Sequence, residues 1–248
     1  MGRLILNCGV FMSILLNEFQ QPIGTPLPGW TARRPPERVT LTGRLCKVEP
    51  LDAARHALDL HTGYVLATNN QDWTYMTMGP FRSADDYRSY VESIVSSSDP
   101  MHFAVVDIAT QRAVGTLALM RIDVANGVIE VGSVMFSPLL KRTPLSTEAQ
   151  YLLMKYVFED LQYRRYEWKC DAFNEPSRRA AARLGFQFEG VFRQAVVYKG
   201  RSRDTAWFSI IDAEWPARRS AFERWLDPKN FDQEGKQLSS LDEMAGDN

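Results

Sequence analysis

Across residues 128–161 the spacing of apolar positions changes once, and abruptly. The run Val128-Ile-Glu-Val-Gly-Ser-Val-Met-Phe136 is rich in β-branched and aromatic residues, which predicts a strand. After the connection Ser137-Pro-Leu-Leu-Lys-Arg142, residues Leu145, Ala149, Leu152, Leu153, Tyr156, Val157 and Leu161 recur three and four apart, which predicts a long helix. Pro144 suits the first helical position, where its missing N–H costs nothing, and Thr143 suits the cap before it. A helix mouth with free N–H groups then follows a buried strand. Such a junction is either ordinary α/β packing or a seat for a phosphate group.

The same two periods order the rest of the chain. A strand is expected at 39–48, a helix at 53–66 capped by Asp52, and a second helix at 84–95 capped by Ser83. Asp85 and Asp86 fall in the first turn of that second helix, where they complement its dipole better than they would make an acid–base pair. Between the helices, the polar and aromatic loop at 68–81 carries Trp73 and Tyr75, which either wall a pocket or cover the core edge. Strands follow at 101–107 and 114–123, and Asn126-Gly127 signals a hairpin into the strand at 128–136. Beyond the long helix come a strand at 164–171, a helix at 174–184 ended by Gly185, strands at 186–198 and 205–212, and a helix at 213–225. The expected organisation is an extension and irregular arm at 1–38, one domain at 39–226, and a disordered polar tail at 227–248.

Composition narrows the classes. Lys plus Arg number 29 against 30 Asp plus Glu, a formal charge of -1, so no global field favours nucleic acid or an anionic membrane. The first sixteen residues hold an apolar run, but Asn7 breaks it and no small-residue cleavage site follows; Met12 reads as an alternative start. Cys8, Cys46 and Cys170 lie too far apart for a paired framework or a spaced zinc motif, and His56, His61 and His102 have no ligand-spaced companion. No metal is expected, and a cytoplasmic location is the natural inference.

The order strand, two helices, three-strand meander, helix, strand, helix, two strands resembles the GCN5-related N-acetyltransferase (GNAT) family. The pieces that carry the likeness are Ile129-Glu-Val-Gly132, Thr147-Glu-Ala149, Tyr163-Arg-Arg-Tyr-Glu-Trp168, Asn174-Glu-Pro-Ser177, Arg183-Leu-Gly-Phe186, Glu189-Gly190, and Gly200-Arg-Ser-Arg-Asp204 with Glu214-Trp-Pro216. They are closest to its RimJ/RimL-like ribosomal-protein branch. The resemblance implies an α/β (α+β) fold with a central mixed, largely antiparallel sheet, flanked by helices and splayed between two central strands. It also implies acetyl transfer from acetyl-CoA to a primary amine, on a protein N-terminus or a small molecule, by a monomer or homodimer. The alternative is a non-catalytic acyl-CoA-binding or interaction module that keeps the fold.

Two departures from the family pattern stand out. Its phosphate loop falls here on Lys141-Arg-Thr-Pro-Leu-Ser146, with Pro144 where a glycine is expected, and Ala181 stands where many relatives carry a tyrosine acid. By the resemblance, Lys141, Arg142, Thr143 and the N–H groups of Leu145, Ser146 and Thr147 receive the cofactor's phosphates. The backbone of Val134, Met135 and Phe136 pairs with its arm, and Asn174 either touches that arm or caps the next helix. Glu130 is the candidate base or else a solvent-facing strand glutamate, and Ser177 is a candidate acid. Trp73, Tyr75, Trp168 and Asp171 are the candidates for the acceptor pocket, from loop position and strand ends.

Overall fold

In the computed structural model, which describes residues 15–67 and 69–246, strands and helices follow one another in the order the two periods predict. The apolar run at 1–14, with Cys8 and Met12, lies outside the described residues. The chain divides into two units, 1–31 and 32–248. The first holds one small hairpin of β1 (Leu15–Leu16) and β2 (Pro22–Ile23), closed by Asn17, whose side-chain oxygen accepts the N–H groups of Phe19 and Gln21. The expected boundary at residue 38 shifts accordingly. Residues 32–38 are tied into the second unit, where Arg33 N–H bonds the Val124 carbonyl and Glu37 N–H bonds the Tyr156 hydroxyl.

The second unit is built on a sheet ordered β3-β4-β5-β6-β7-β8-β10-β9. Its strands are β3 (Leu41–Thr42), β4 (Cys46–Pro50), β5 (Met101–Asp107), β6 (Ala113–Asp123), β7 (Val128–Phe136), β8 (Arg165–Asp171), β9 (Gln187–Tyr198) and β10 (Arg201–Ile211). Every neighbouring pair is antiparallel except β7 with β8. That parallel pair needs a crossover, and the long helix predicted after β7 supplies it. It is α3 (Pro144–Lys155), continued by one wider π turn at Tyr156–Asp160 rather than by regular helix to Leu161.

One strand was expected at 39–48, and two short ones stand there. Glu148 of α3 explains the break. Its buried carboxylate accepts the N–H groups of Arg44, Leu45 and Cys46 at 2.9, 2.7 and 2.8 Å, which turns the chain between β3 and β4. A Cβ on Gly43 would lie 2.5 Å from that carboxyl group, so only glycine lets the turn approach so closely.

Helix α3 and two others, α4 (Glu175–Arg183) and α5 (Trp215–Leu226), share one apolar core with Ile129, Val131, Tyr166, Trp168 and Phe208 on one face of the sheet. Helices α1 (Ala53–Tyr64) and α2 (Ala84–Ile94) share a second core on the other face, with Ala104, Val106, Ala113 and Met135. The tail at 227–248 was expected to be disordered, but as far as residue 246 it carries structure. Pro228–Asn230 forms a 3-10 turn, Asn230 donates to the Trp225 and Ser239 carbonyls, and Leu241 of α6 (Leu241–Gly246) is buried in the α5 core. A few anchors, Phe231, Leu241 and Met244, hold an otherwise polar segment, which is too sparse a signal for any periodicity to reveal.

Candidate active site

Strands β7 and β8 pair only from Val128 with Arg165 to Val131 with Trp168, and then they part. The parting begins where β7 is irregular: Ala118 of β6 faces Gly132 and Thr116 faces Met135, so Ser133 and Val134 together oppose Leu117 alone. This is a β-bulge, and Ser133 takes up its extra length at φ 49°. A bulge bends its strand and re-aims what lies beyond. Here it turns the end of β7 away from β8 and opens a gap in the middle of the sheet.

Just past that gap, Arg142 sits at φ 61°, exposed, and the chain enters α3. The predicted cap is present: the Thr143 hydroxyl accepts Ser146 N–H and donates to the Leu140 carbonyl, while the Ser146 hydroxyl donates to the Thr143 carbonyl. Both hydroxyls are therefore used by the helix itself. Pro144 has no N–H, Ser146 N–H is taken by the cap and Thr147 N–H makes the first bond of the helix, so the first-turn donor left for an anion is the N–H of Leu145. Lys141 is drawn aside, its ammonium 2.5 Å from Asp72 in a 3-10 turn at Asn70–Trp73. Of the predicted phosphate-binding group, Arg142 and the Leu145 N–H keep free valences at the mouth. Met135 is also partly engaged, because its carbonyl accepts the Tyr64 hydroxyl at 3.1 Å.

Beyond the gap the strand ends are tied by hydrogen bonds. Asn174 caps α4, its side-chain oxygen accepting Ser177 N–H at 3.2 Å, and the Ser177 hydroxyl in turn accepts the indole N–H of Trp168 at 3.0 Å. Trp168 thus lies under α4, against Phe186, on the opposite face of the sheet from Trp73. The structure does not bring it together with the other acceptor candidates, because alternation along β8 sends Trp168 and Asp171 to opposite faces. Asp171 is buried and accepts the Tyr198 hydroxyl and the N–H of Phe173, both at 2.9 Å. Burial, followed by the bond to Asp171, raises the Tyr198 hydroxyl above its ordinary value.

On the α1–α2 face the loop at 69–81 crosses the gap. Lys141 holds Asp72 from the β7 side, while from the β8 side the Tyr75 hydroxyl donates to the Phe173 carbonyl at 3.0 Å. From the β9–β10 turn, Lys199 donates to the Trp73 carbonyl and Arg201 to that of Thr74, at 2.8 and 2.7 Å. Beneath it is an aromatic chamber in which Trp73 meets Tyr64 and Phe81 edge to face, with ring centroids 5.6 and 5.5 Å apart. A void of about 210 Å³ opens beside Tyr64, Trp73 and Tyr87. A smaller one of about 20 Å³ reaches Thr116, Ser133 and His102, room for one water molecule. Burial, and then Arg38, hold the His102 imidazole below its usual range.

Glu130 is buried rather than solvent-facing. Its Oε2 lies 3.0 Å from both Arg121 Nε and Lys169 Nζ, and Lys169 also reaches Glu167 Oε2 at 2.7 Å. Oε1 leans the other way, 3.5 Å from where a Cβ of Gly132 would stand, at the first residue beyond the parting. Burial raises the Glu130 carboxyl above the ordinary carboxylate range, against the lowering by Lys169 and Arg121. Arg121, Glu167 and Lys169 were not singled out from sequence, although Arg165-Tyr-Glu-Trp-Lys-Cys-Asp171 alternates charged and apolar residues at period two. Among the described residues, no group of three His, Cys, Asp or Glu side chains is arranged to hold a metal ion, and no helix is long and apolar enough to cross a membrane.

Residues 49–187, more than half of the chain, match the model of the acetyltransferase (GNAT) domain. This chain belongs to the GNAT family. A GCN5-related N-acetyltransferase from Brucella melitensis is 48% identical in sequence, covering 88% of this chain and 99% of its own, and superposes with a TM-score of 0.87. An uncharacterised N-acetyltransferase of Bacillus licheniformis is 29% identical over 144 residues, 57% of this chain and 80% of the relative. The ribosomal-protein-S5-alanine acetyltransferase of Vibrio fischeri, at 18% identity and a TM-score of 0.55, covering 71% of this chain and 98% of its own, shares the fold alone. The GNAT chain is an N-acetyltransferase, and its family uses acetyl-CoA as cosubstrate. Its site fits that molecule: a gap between β7 and β8 leads from the buried sheet centre toward a helix mouth with an exposed arginine.

Proposed function

We propose that the protein acetylates a primary amine that enters from the α1–α2 face, with Glu130 as the base that takes the amine's proton, directly or through one water. Acetyl-CoA, when bound, supplies the acetyl group as an activated thioester. Arg142 and the N–H of Leu145 hold its phosphates, and the gap beside Val134 admits its arm. The observation that carries this reading is the parting of β7 and β8 after Val131 and Trp168, with Glu130 Oε1 beside Gly132, the first residue past the pairing.

The acceptor is a primary amine of a protein N-terminus or a small molecule. The likeness to the RimJ/RimL-like branch favours the first. The chamber walls of Tyr64, Trp73 and Tyr87 favour an amine with an apolar or aromatic body, since their faces also attract a cation. An α-amino group, with an ordinary pKa of about 8, asks less of the base than a lysine at about 10.4. Glu130 must be ionised to act, and burial raises its carboxyl, so the rate should climb as pH rises through that raised value.

Thiol release from acetyl-CoA, measured over panels of amines and peptides, tests the proposal. At least one acceptor class should turn over. Glu130→Gln should slow that reaction by about 10²–10⁴-fold while calorimetric binding of acetyl-CoA is unchanged. Silence across both panels, or an unaltered rate in the variant, would overturn it.

A further inference from the structure

We propose that Lys169 is a positioning residue for proton transfer: it grips one oxygen of Glu130 so that the other faces the parting of the strands. This rests on the reading of Glu130 as the base. Glu130 and Glu167 are register partners in the only parallel pair of the sheet, on a face that buries both. Two adjacent carboxylates in such a place repel, and the ordinary relief is protonation of one. Lys169 works against that protonation. Its ammonium lies 3.0 Å from Glu130 Oε2, 2.7 Å from Glu167 Oε2 and 3.7 Å from the centre of the Trp207 ring, with the side chain only 6% exposed.

The other charges around Glu130 leave this role to Lys169. From β6, Arg121 also meets Oε2, but its side chain is 58% exposed and water screens it. From β8, Arg165 is committed elsewhere: it holds Glu167 Oε1 at 2.7 Å, and on its far side Glu189 of β9 and Ser209 of β10. Lys169 alone is both buried and shared between the two carboxylates. Its grip on Oε2 fixes the carboxylate's rotation, so that Oε1 points along β7 toward Gly132, the first residue past the pairing, 3.5 Å from where its Cβ would stand and beside Met120 Sδ.

A merely structural lysine and a positioning lysine differ in what they do to titration. In protein carrying carboxyl-¹³C glutamate, Lys169→Met should raise the Glu130 titration by about one pH unit or more, read by NMR without cofactor or acceptor. The acidic limb of the rate profile should move up with it, and Lys169→Arg should bring both part of the way back. Glu167→Gln, which removes the competing carboxylate, should move the titration down, and it keeps the test open if the methionine variant fails to fold. An unmoved titration in a folded Lys169→Met or Glu167→Gln variant overturns the proposal, as does an equal loss of rate at every pH. Glu130→Gln separates the two readings. If the acidic limb survives in it, Glu130 is not the base; if the limb vanishes there yet stays put in the Lys169 and Glu167 variants, only the inference about Lys169 falls.

Discussion

The α1–α2 face of the sheet holds two regions of opposite construction on either side of the point where β7 and β8 part. On the paired side, Glu130, Glu167, Lys169, Arg165 and Glu189 form a chain of ion pairs carried on strands. On the parted side, Tyr64, Trp73, Phe81 and Tyr87 form an aromatic cluster carried on two helices and the loop between them. Strand register sets the spacing of the first region, and fixed spacing is what proton transfer demands. The second is secured by single bonds to loop carbonyls, such as those from Lys199 and Arg201, and so can change shape without disturbing the first. On the proposed reading, chemistry and acceptor selection fall to parts of different stiffness. If so, changes in one region should leave the signature of the other intact.

Trp73→Ala gives the largest effect. The indole is 7% exposed and packs on two rings, so its loss should cost about 3–5 kcal/mol of stability in denaturant unfolding. The KM for the acceptor should rise steeply while the acidic limb of the rate profile stays where it was. A limb that moved would mean the two regions are not separate.

Gly132→Ala is the opposite test. The added methyl group would press on Met120 Sδ, which sits on a flexible and partly exposed side chain that can swing aside, so stability should hardly change. The same methyl group stands 3.5 Å from Glu130 Oε1, the oxygen that the proposed proton transfer uses. The maximal rate should therefore fall by about 10- to 100-fold, roughly 1.4–2.8 kcal/mol in the barrier. Thermal unfolding measured beside kcat would show whether the rate falls without the fold.

The contrast between the regions also explains what could be read in advance. Strand and helix periods located β7, α3 and the crossover, because burial on one face or stripe leaves a repeating mark in sequence. Glu130 came from family likeness, whereas its partners Lys169 and Glu167 were present only as alternation, which says that a strand has a polar face but not that the face is buried. Glu148 gave no sign at all. A glutamate beside Ala149 reads as helix surface until three N–H groups from the Arg44–Cys46 turn are seen to converge on it. Trp168 was assigned to the pocket, like Asp171, from its place near a strand end, and the pleat separates the two. Side chains that meet through tertiary contact leave no local period, so the site's ion pairs and loop ties stayed hidden where its scaffold did not.

The smallest effect belongs to the border between the regions. Tyr75 closes the chamber on the β8 side through one hydrogen bond, from its hydroxyl to the Phe173 carbonyl at 3.0 Å, and that contact is exposed to water. Tyr75→Phe keeps the ring and removes only this tie. An exposed hydrogen bond contributes little net, so global stability should fall by no more than about 1 kcal/mol. Local opening should nevertheless become easier, because the loop depends on a handful of such ties rather than on strand pairing. Hydrogen exchange of the amides at 72–77 should speed up by about threefold to fivefold, which is the kinetic image of the same energy. Exchange at 128–131 and 165–168, where β7 and β8 are paired, should not change. Acceleration there as well would show that the loop and the paired strands open as one unit, and the division between a fixed charged region and an adaptable aromatic one would be lost.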